Sequence, residues 1–189
     1  MLNRLILLAT LMLSGCSTHY VNLTYKGHHI VQKTPIINKV TVYDERGSDK
    51  DWLGAIRHGW GGSLKTLRTK TVTSDTIKGM YIDALKQRNL YTPDDQAPYQ
   101  IVLTLMKVDA SQYVNREATA SIRVELLNNI DSKVVFSQLF DNYQVSDGNG
   151  FDTAFFGNVG KLRLLAEETI NQTIDKSIEN GGFTQKLMK

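Results

Sequence analysis

Between Ala118 and Leu126 the side chains alternate without a break. Ala118, Ala120, Ile122, Val124 and Leu126 fall on one side of an extended chain, and Thr119, Ser121, Arg123 and Glu125 on the other. Because successive residues of a strand point to opposite faces, this segment demands a sheet with one dry face and one wet one. The flanking segments supply its neighbours. Residues 99–108 (YQIVLTLMKV) are almost continuously apolar, as a central strand is, and 128–131 (NNID) offer turn residues before a further strand over Val134–Val145. Upstream, 36–43 (IINKVTVY) is rich in β-branched residues and reads as a fourth strand.

Two segments follow the helical period instead. Ile77, Met80, Tyr81, Ala84 and Leu85 share one face, behind Thr73, Ser74 and Asp75, which suit a helix start. Leu162, Leu165, Ala166, Ile170, Ile174 and Ile178 form a second stripe, ended by Gly181 and Gly182. The glycine-rich stretches Asp44–Ser63 and Ser146–Gly160 read as loops. The order is therefore β-α-β-β-β-α. The expected fold is an α+β two-layer sandwich, with two helices packed on one face of a mainly antiparallel four-stranded sheet. Its other face is expected to be wet or covered by a partner.

The N-terminus reads as an address. In MLNRLILLATLMLSGC, Arg4 precedes an apolar run from Leu5 to Leu13, followed by Ser14, Gly15 and Cys16. The run is shorter than the roughly 20 residues that span a bilayer, and it has the charged, apolar and small-residue regions of a secretory signal. Leu13-Ser14-Gly15-Cys16 resembles a bacterial lipobox. The resemblance implies a lipidated Cys16, cleavage before it, and a membrane anchor; Ser17 rather than Asp in the next position implies outer-membrane delivery, on the periplasmic face. The expected organisation is a signal peptide over 1–15 (lipobox 13–16), a lipidated N-terminus and flexible tether over 16–35 with room for one loose strand at Tyr20–Tyr25, a periplasmic α+β domain over 36–183 and a C-terminal tail over 184–189.

Chemistry is scarce. With Cys16 as the one cysteine, there is no disulfide framework and no multi-cysteine metal site. A net charge of +3 is too small an excess to imply nucleic acid. His28 and His29 are adjacent and point apart in an extended chain, while His19 and His58 lie far from them in sequence, so no metal is expected. Gly61-Gly62-Ser63-Leu64 is not a nucleophile elbow, and Gly59-Trp60-Gly61-Gly62 lacks the lysine of a phosphate loop. Glu167 and Glu168 lie off the apolar stripe and read as a solvated face. No catalytic residue and no cofactor are expected. The residues that stand out are aromatics in the glycine-rich stretches: Trp52 and Trp60 in the first, Phe151, Phe155 and Phe156 in the second. They are either partner-binding anchors or cover for the core.

Val40-Thr41-Val42-Tyr43-Asp44-Glu45-Arg46, followed by Leu53-Gly54 and then a helix, resembles the YajG-type family of small Gram-negative lipoproteins. In physical terms, Asp44 and Arg46 share one side of a strand end and are placed to brace the loop carrying Leu53 and Gly54 through charge-assisted hydrogen bonds. The element order is also similar to that of LptE and the PqiC-like accessory lipoproteins, at the level of fold. The resemblance implies location more than activity; the leading expectation is a non-enzymatic interaction or assembly module of the cell envelope, held to the outer membrane by its lipid and bound to another envelope protein. The alternative is a lipid- or peptidoglycan-binding accessory component of envelope transport or maintenance. An apolar groove between helices and sheet favours the lipid reading; a flat polar sheet with exposed edges favours the protein partner.

Overall fold

The computed structural model describes residues 17–27, 34–47, 49–58, 61–147 and 157–187. Seven strands form one sheet: β1 (Ser17–Val21), β2 (Ile37–Asp44), β3 (Trp52–Arg57), β4 (Ser63–Thr69), β5 (Tyr99–Gln112), β6 (Arg116–Asn128) and β7 (Val134–Ser146). The helices are α1 (Thr73–Gln87), α2 (Val159–Ile178) and the short α3 (Gly181–Leu187).

The alternating segment is the middle of β6, which pairs antiparallel with β5 along its whole length and with β7 on its other side. Ala118, Ala120, Ile122, Val124 and Leu126 are all buried, facing the helices. On α1 the stripe Ile77, Met80, Tyr81, Ala84 and Leu85 is buried, and Asn89, in the left-handed region at φ 52°, turns the chain out of the helix. On α2, Asn158 caps the first turn by accepting from the Lys161 amide (3.1 Å).

The expected four-stranded, mainly antiparallel sheet with two helices is corrected. The sheet is mixed: β1–β4, β2–β5 and β3–β5 run parallel, while β3–β4, β5–β6 and β6–β7 run antiparallel. Three strands are added to the expected four: β1, upstream of the expected domain, β3, inside what read as a loop, and β4, which begins at the end of that loop at Ser63. Gly54, which reads as a breaker, sits inside β3 opposite Ala110, where a Cβ would come within 2.0 Å of the Ala110 carbonyl oxygen. Glycine is needed there for close approach, not for a turn. The third helix begins at the glycine pair that reads as a stop. The Asn180 side chain accepts from the amides of Gly182 (2.9 Å) and Phe183 (3.2 Å) and restarts the chain, and Phe183 is wholly buried against the edge of the Phe136 ring.

The sheet also begins upstream of residue 36. β1 pairs with β4 from Ser17 onward, and Val21, Leu23 and Tyr25 are buried in the same core as the domain. The residues of the first half of the expected tether are thus part of the packed structure.

One row of paired residues crosses the sheet. Ser17 lies beside Lys65, Lys65 beside Ile56, Ile56 beside Gln112, Gln112 beside Arg116, and Arg116 beside Ser146. The β3–β4 and β5–β6 connections leave from this end. The β6–β7 turn, the end of α2 and α3 lie at the other.

Candidate functional site

Strand β5 has two partners on the edge away from β6. β2 pairs with it over Tyr99–Leu105 and β3 over Ala110–Gln112, so the edge between them has no strand. Arg46 fills this fork. Its Nη1 donates to the carbonyls of Trp52 (2.9 Å) and Val108 (3.3 Å), its Nη2 to Asp44 Oδ2 (2.8 Å) and the Lys50 carbonyl (2.9 Å), and its Nε to Asp44 Oδ1 (2.9 Å). All five guanidinium donors are engaged. Lys50 Nζ donates to the Asp44 (2.7 Å) and Arg46 (2.6 Å) carbonyls. Both side chains of the Arg46–Asp44 pair are only 8% exposed. Burial by itself raises the Asp44 carboxyl, but the Arg46 guanidinium overcomes it and holds the group below its ordinary value.

Beside the fork lies an open cleft of about 500 Å³, walled by Arg46, Asp49, Trp52, Met106, Lys107 and Asp109 among others. Trp52 is half-buried there. Its Nε1 donates to Asp109 Oδ1 (2.9 Å), and the Arg68 guanidinium lies 5.7 Å from its ring centroid. Arg68 also bonds Asp49 and Asp51, and this contact lowers the Asp49 carboxyl. The charges of the cleft wall are thus largely neutralised in pairs. What remains open to solvent is the Trp52 ring, the exposed Met106 and Lys107, a surface suited to contact rather than to proton transfer.

The sheet face away from the helices is uncovered by the described residues. Tyr43, Thr104, Arg123 and Leu139 form one outward row, and Asp109, Thr119 and Tyr143 another. Tyr43, Leu139, Tyr143 and Val145 are between 42% and 59% exposed, an unusual load of large apolar side chains for a wet face. On the opposite, helical side the interior is filled by one continuous apolar cluster.

A second polar cluster, unexpected from the sequence, straps residues 22–27 onto α2. Arg88, 2% exposed, donates to the Tyr25 hydroxyl (2.7 Å), Asp175 Oδ1 (2.8 Å) and Glu179 Oε1 (2.7 Å), and Tyr25 donates to Asp175 (2.5 Å). Burial and then the Asp175 carboxylate push the Tyr25 hydroxyl up to about 12. Glu167, which reads as solvated, is instead 2% exposed. It pairs with Lys26 and Arg163 and accepts from the Thr24 amide (3.2 Å), because the N-terminal segment lies over it. The signal that could have revealed the strap is the alternation Val21, Leu23, Tyr25, too short to stand out alone.

The structure thus gathers Asp44, Arg46, Trp52, Leu53 and Gly54 at one fork, with Leu53 fully buried behind it. Trp52 opens a strand and does not sit on a loop. Cys16, Trp60, Phe151, Phe155 and Phe156 lie outside the described residues. Among the described residues, no group of three or more His, Cys, Asp or Glu is placed to hold a metal ion, and no helix is long and apolar enough to cross a membrane.

No protein-family model matches the chain, and no curated protein matches it in sequence. Solved structures do match. Protein XCC0632 from Xanthomonas campestris, of family model DUF330, aligns with a TM-score of 0.61 at 13% identity, over 92% of this chain and 95% of that one. This chain has the XCC0632 fold. A PelC dodecamer from Paraburkholderia phytofirmans aligns at a TM-score of 0.42 and 11% identity over 81% of this chain and 92% of that one. Lipoprotein GNA1162 from Neisseria meningitidis aligns at 0.31 and 14% over 75% of this chain and 99% of that one. The last two likenesses are too distant to bear on the argument.

Proposed function

We propose that the protein is a lipoprotein of the outer membrane, anchored through Cys16 on the periplasmic face, and that it acts as a non-enzymatic interaction module for another envelope protein. The lipobox-like Leu13–Cys16 supports the anchor. The observation that carries the interaction reading is the open sheet face, with Tyr43, Leu139, Tyr143 and Val145 standing out of it beside Arg123. Such a mix of half-exposed aromatic and aliphatic residues with an arginine is the composition of a protein-binding patch. The continuous apolar cluster that fills the space between helices and sheet among the described residues favours a protein partner over a lipid carried inside the fold.

Two measurements test the reading. The N-terminal peptide of the mature chain should begin at Cys16 and carry acyl chains by mass spectrometry, with the protein in the outer-membrane fraction. A photo-crosslinking residue at Tyr143 should give one discrete adduct in intact envelopes, absent when it is moved to exposed Lys78 on α1. A free Cys16 thiol on a soluble chain would sink the anchor, and equal adducts at the two positions would sink the interaction face.

A further inference from the structure

The row Ser17–Lys65–Ile56–Gln112–Arg116–Ser146 crosses five strand spacings, about 24 Å. Its first member is bonded directly to Cys16, whose Cα lies only about 3.8 Å further on. No spacer residue separates the expected acyl chains from the hydrogen-bonded sheet. Just beyond the row, at the tip of the β5–β6 connection, are Tyr113 and Val114, each 51% exposed. This tip is three strands across from β1, about 14 Å along the row.

Resting on the lipidation of Cys16 proposed above, we infer that this end of the sheet lies against the bilayer surface and that Tyr113 and Val114 enter its headgroup layer. A chain held at Cys16 has Ser17, the first residue of that row, within about one residue length of the lipid, so the domain does not stand off as it would on a flexible tether. The tip lies only about 14 Å along the row from the anchored strand. The tip carries the residue types that suit that depth: a tyrosine, apolar in its ring and polar at its hydroxyl, beside an aliphatic valine. Charge at this end is mixed, with Arg57, Lys65 and Arg116 against Glu117 and Asp147 at the ends of four strands, so the contact is one of aromatic and apolar insertion and does not depend on anionic lipid. The occupant is the lipid surface itself. The β6–β7 turn, with Ile130 91% exposed, then points away into the periplasm, about 40 Å distant along β6.

The single cysteine makes the test clean, because lipidation consumes its thiol. Tyr113→Cys, Val114→Cys and Ile130→Cys are each expressed as the full chain, purified as the acylated mature protein, labelled with a polarity-sensitive fluorophore and reconstituted into phosphatidylcholine vesicles. The label at 113 or 114 should emit to the blue and be quenched by lipids spin-labelled near the headgroup, while that at 130 should behave as in water. Val114→Cys stands in should Tyr113→Cys fold poorly. Vesicle flotation and the mass of the N-terminal peptide report the anchor separately. An acylated chain that floats with labels at 113 and 114 as wet as at 130 overturns this inference alone. Labels shielded only in native envelopes overturn it by assigning the tip to a protein. An unacylated chain that does not float overturns it together with the anchor.

Discussion

Arg46 donates to the carbonyl of Val108, 62 residues away in sequence, at the point where β5 has lost β2 as a partner and not yet gained β3. A side chain thus satisfies backbone that a strand would otherwise pair. The parallel partners of β5 on that edge can diverge without leaving buried carbonyls unbonded.

Removing this guanidinium should be costly. Arg46→Met leaves the Asp44 carboxylate buried and the Trp52 and Val108 carbonyls without their donor, so a loss of about 3–5 kcal/mol is expected from denaturant unfolding. Arg46→Lys should recover little of it, since an ammonium cannot supply five donors in a planar fork. A lysine variant as stable as the native protein would show that charge alone holds the fork.

Acid should weaken the same site. The folded-state Asp44 is held below its ordinary value, so the unfolded chain binds its proton first. The stabilisation is fully present above about pH 4, the unperturbed carboxyl range, and is lost as pH falls through the lower folded value. Thermal melting from pH 6 to pH 2 should therefore show a fall that is shallower in Asp44→Asn, which starts from a lower midpoint. An Asp44→Asn curve parallel to the native one would remove Asp44 from the acid response.

Two glycines should respond in opposite ways to alanine. At Gly54 the new Cβ meets the Ala110 carbonyl oxygen at 2.0 Å, backbone against backbone, and Gly54→Ala should destabilise by about 3 kcal/mol, the upper end of overpacking costs. Gly79 in α1 is exposed with nothing within 4 Å, and Gly79→Ala should stabilise by about 0.5–1 kcal/mol through helix propensity. Paired unfolding curves read both signs at once.

The N-terminal strap should be needed for stability. A chain starting at Thr34 loses β1 and the buried side chains of Val21, Leu23 and Tyr25, about 5 kcal/mol or more of burial at roughly 1.5–3 kcal/mol each. A chain starting at Ser17 retains them. The comparison is a melting curve of each. Equal midpoints would show that residues 17–27 only rest on the domain.

Alkali should release the strap before the core. The Tyr25 hydroxyl is pushed up to about 12, so the folded state favours its neutral form. That contribution is intact below about pH 10, the ordinary tyrosine value, and is lost as pH climbs through 12. Absorbance titration of native and Tyr25→Phe protein should differ by one late-ionising phenol. The absence of that step from the native curve would contradict the Arg88–Tyr25–Asp175 geometry.

Much of this architecture is legible from side-chain periodicity. β5, β6, β7 and the stripes of α1 and α2 stand out because each buries one long face, and a face of that length writes its period into the sequence. The elements that do not stand out are short or owe their place to distant backbone. β3 has six residues with a glycine among them, and only the Ala110 carbonyl explains that glycine. β1 has five residues and ends just where the Val21, Leu23, Tyr25 alternation begins. At the fork, the local spacing of Asp44 and Arg46 is visible, whereas the Trp52 and Val108 carbonyls they serve are not, since a carbonyl has no signature in sequence. Glu167 misleads for a related reason: what buries it includes Thr24, 143 residues earlier, and no helical stripe records that.

The pairing of β1 with β4 has a mechanical consequence. Tension entering β1 at Ser17 along the strand axis loads the paired residues Ser17–Val21 in shear, all together, against β4. Peeling, in which bonds fail one after another, would require the force to act across the strand. Behind β1 the Tyr25–Arg88–Asp175 latch backs up the same segment. Under the anchoring proposed above, the smallest edge strand of the sheet is set to bear tension between the membrane and the domain without unravelling.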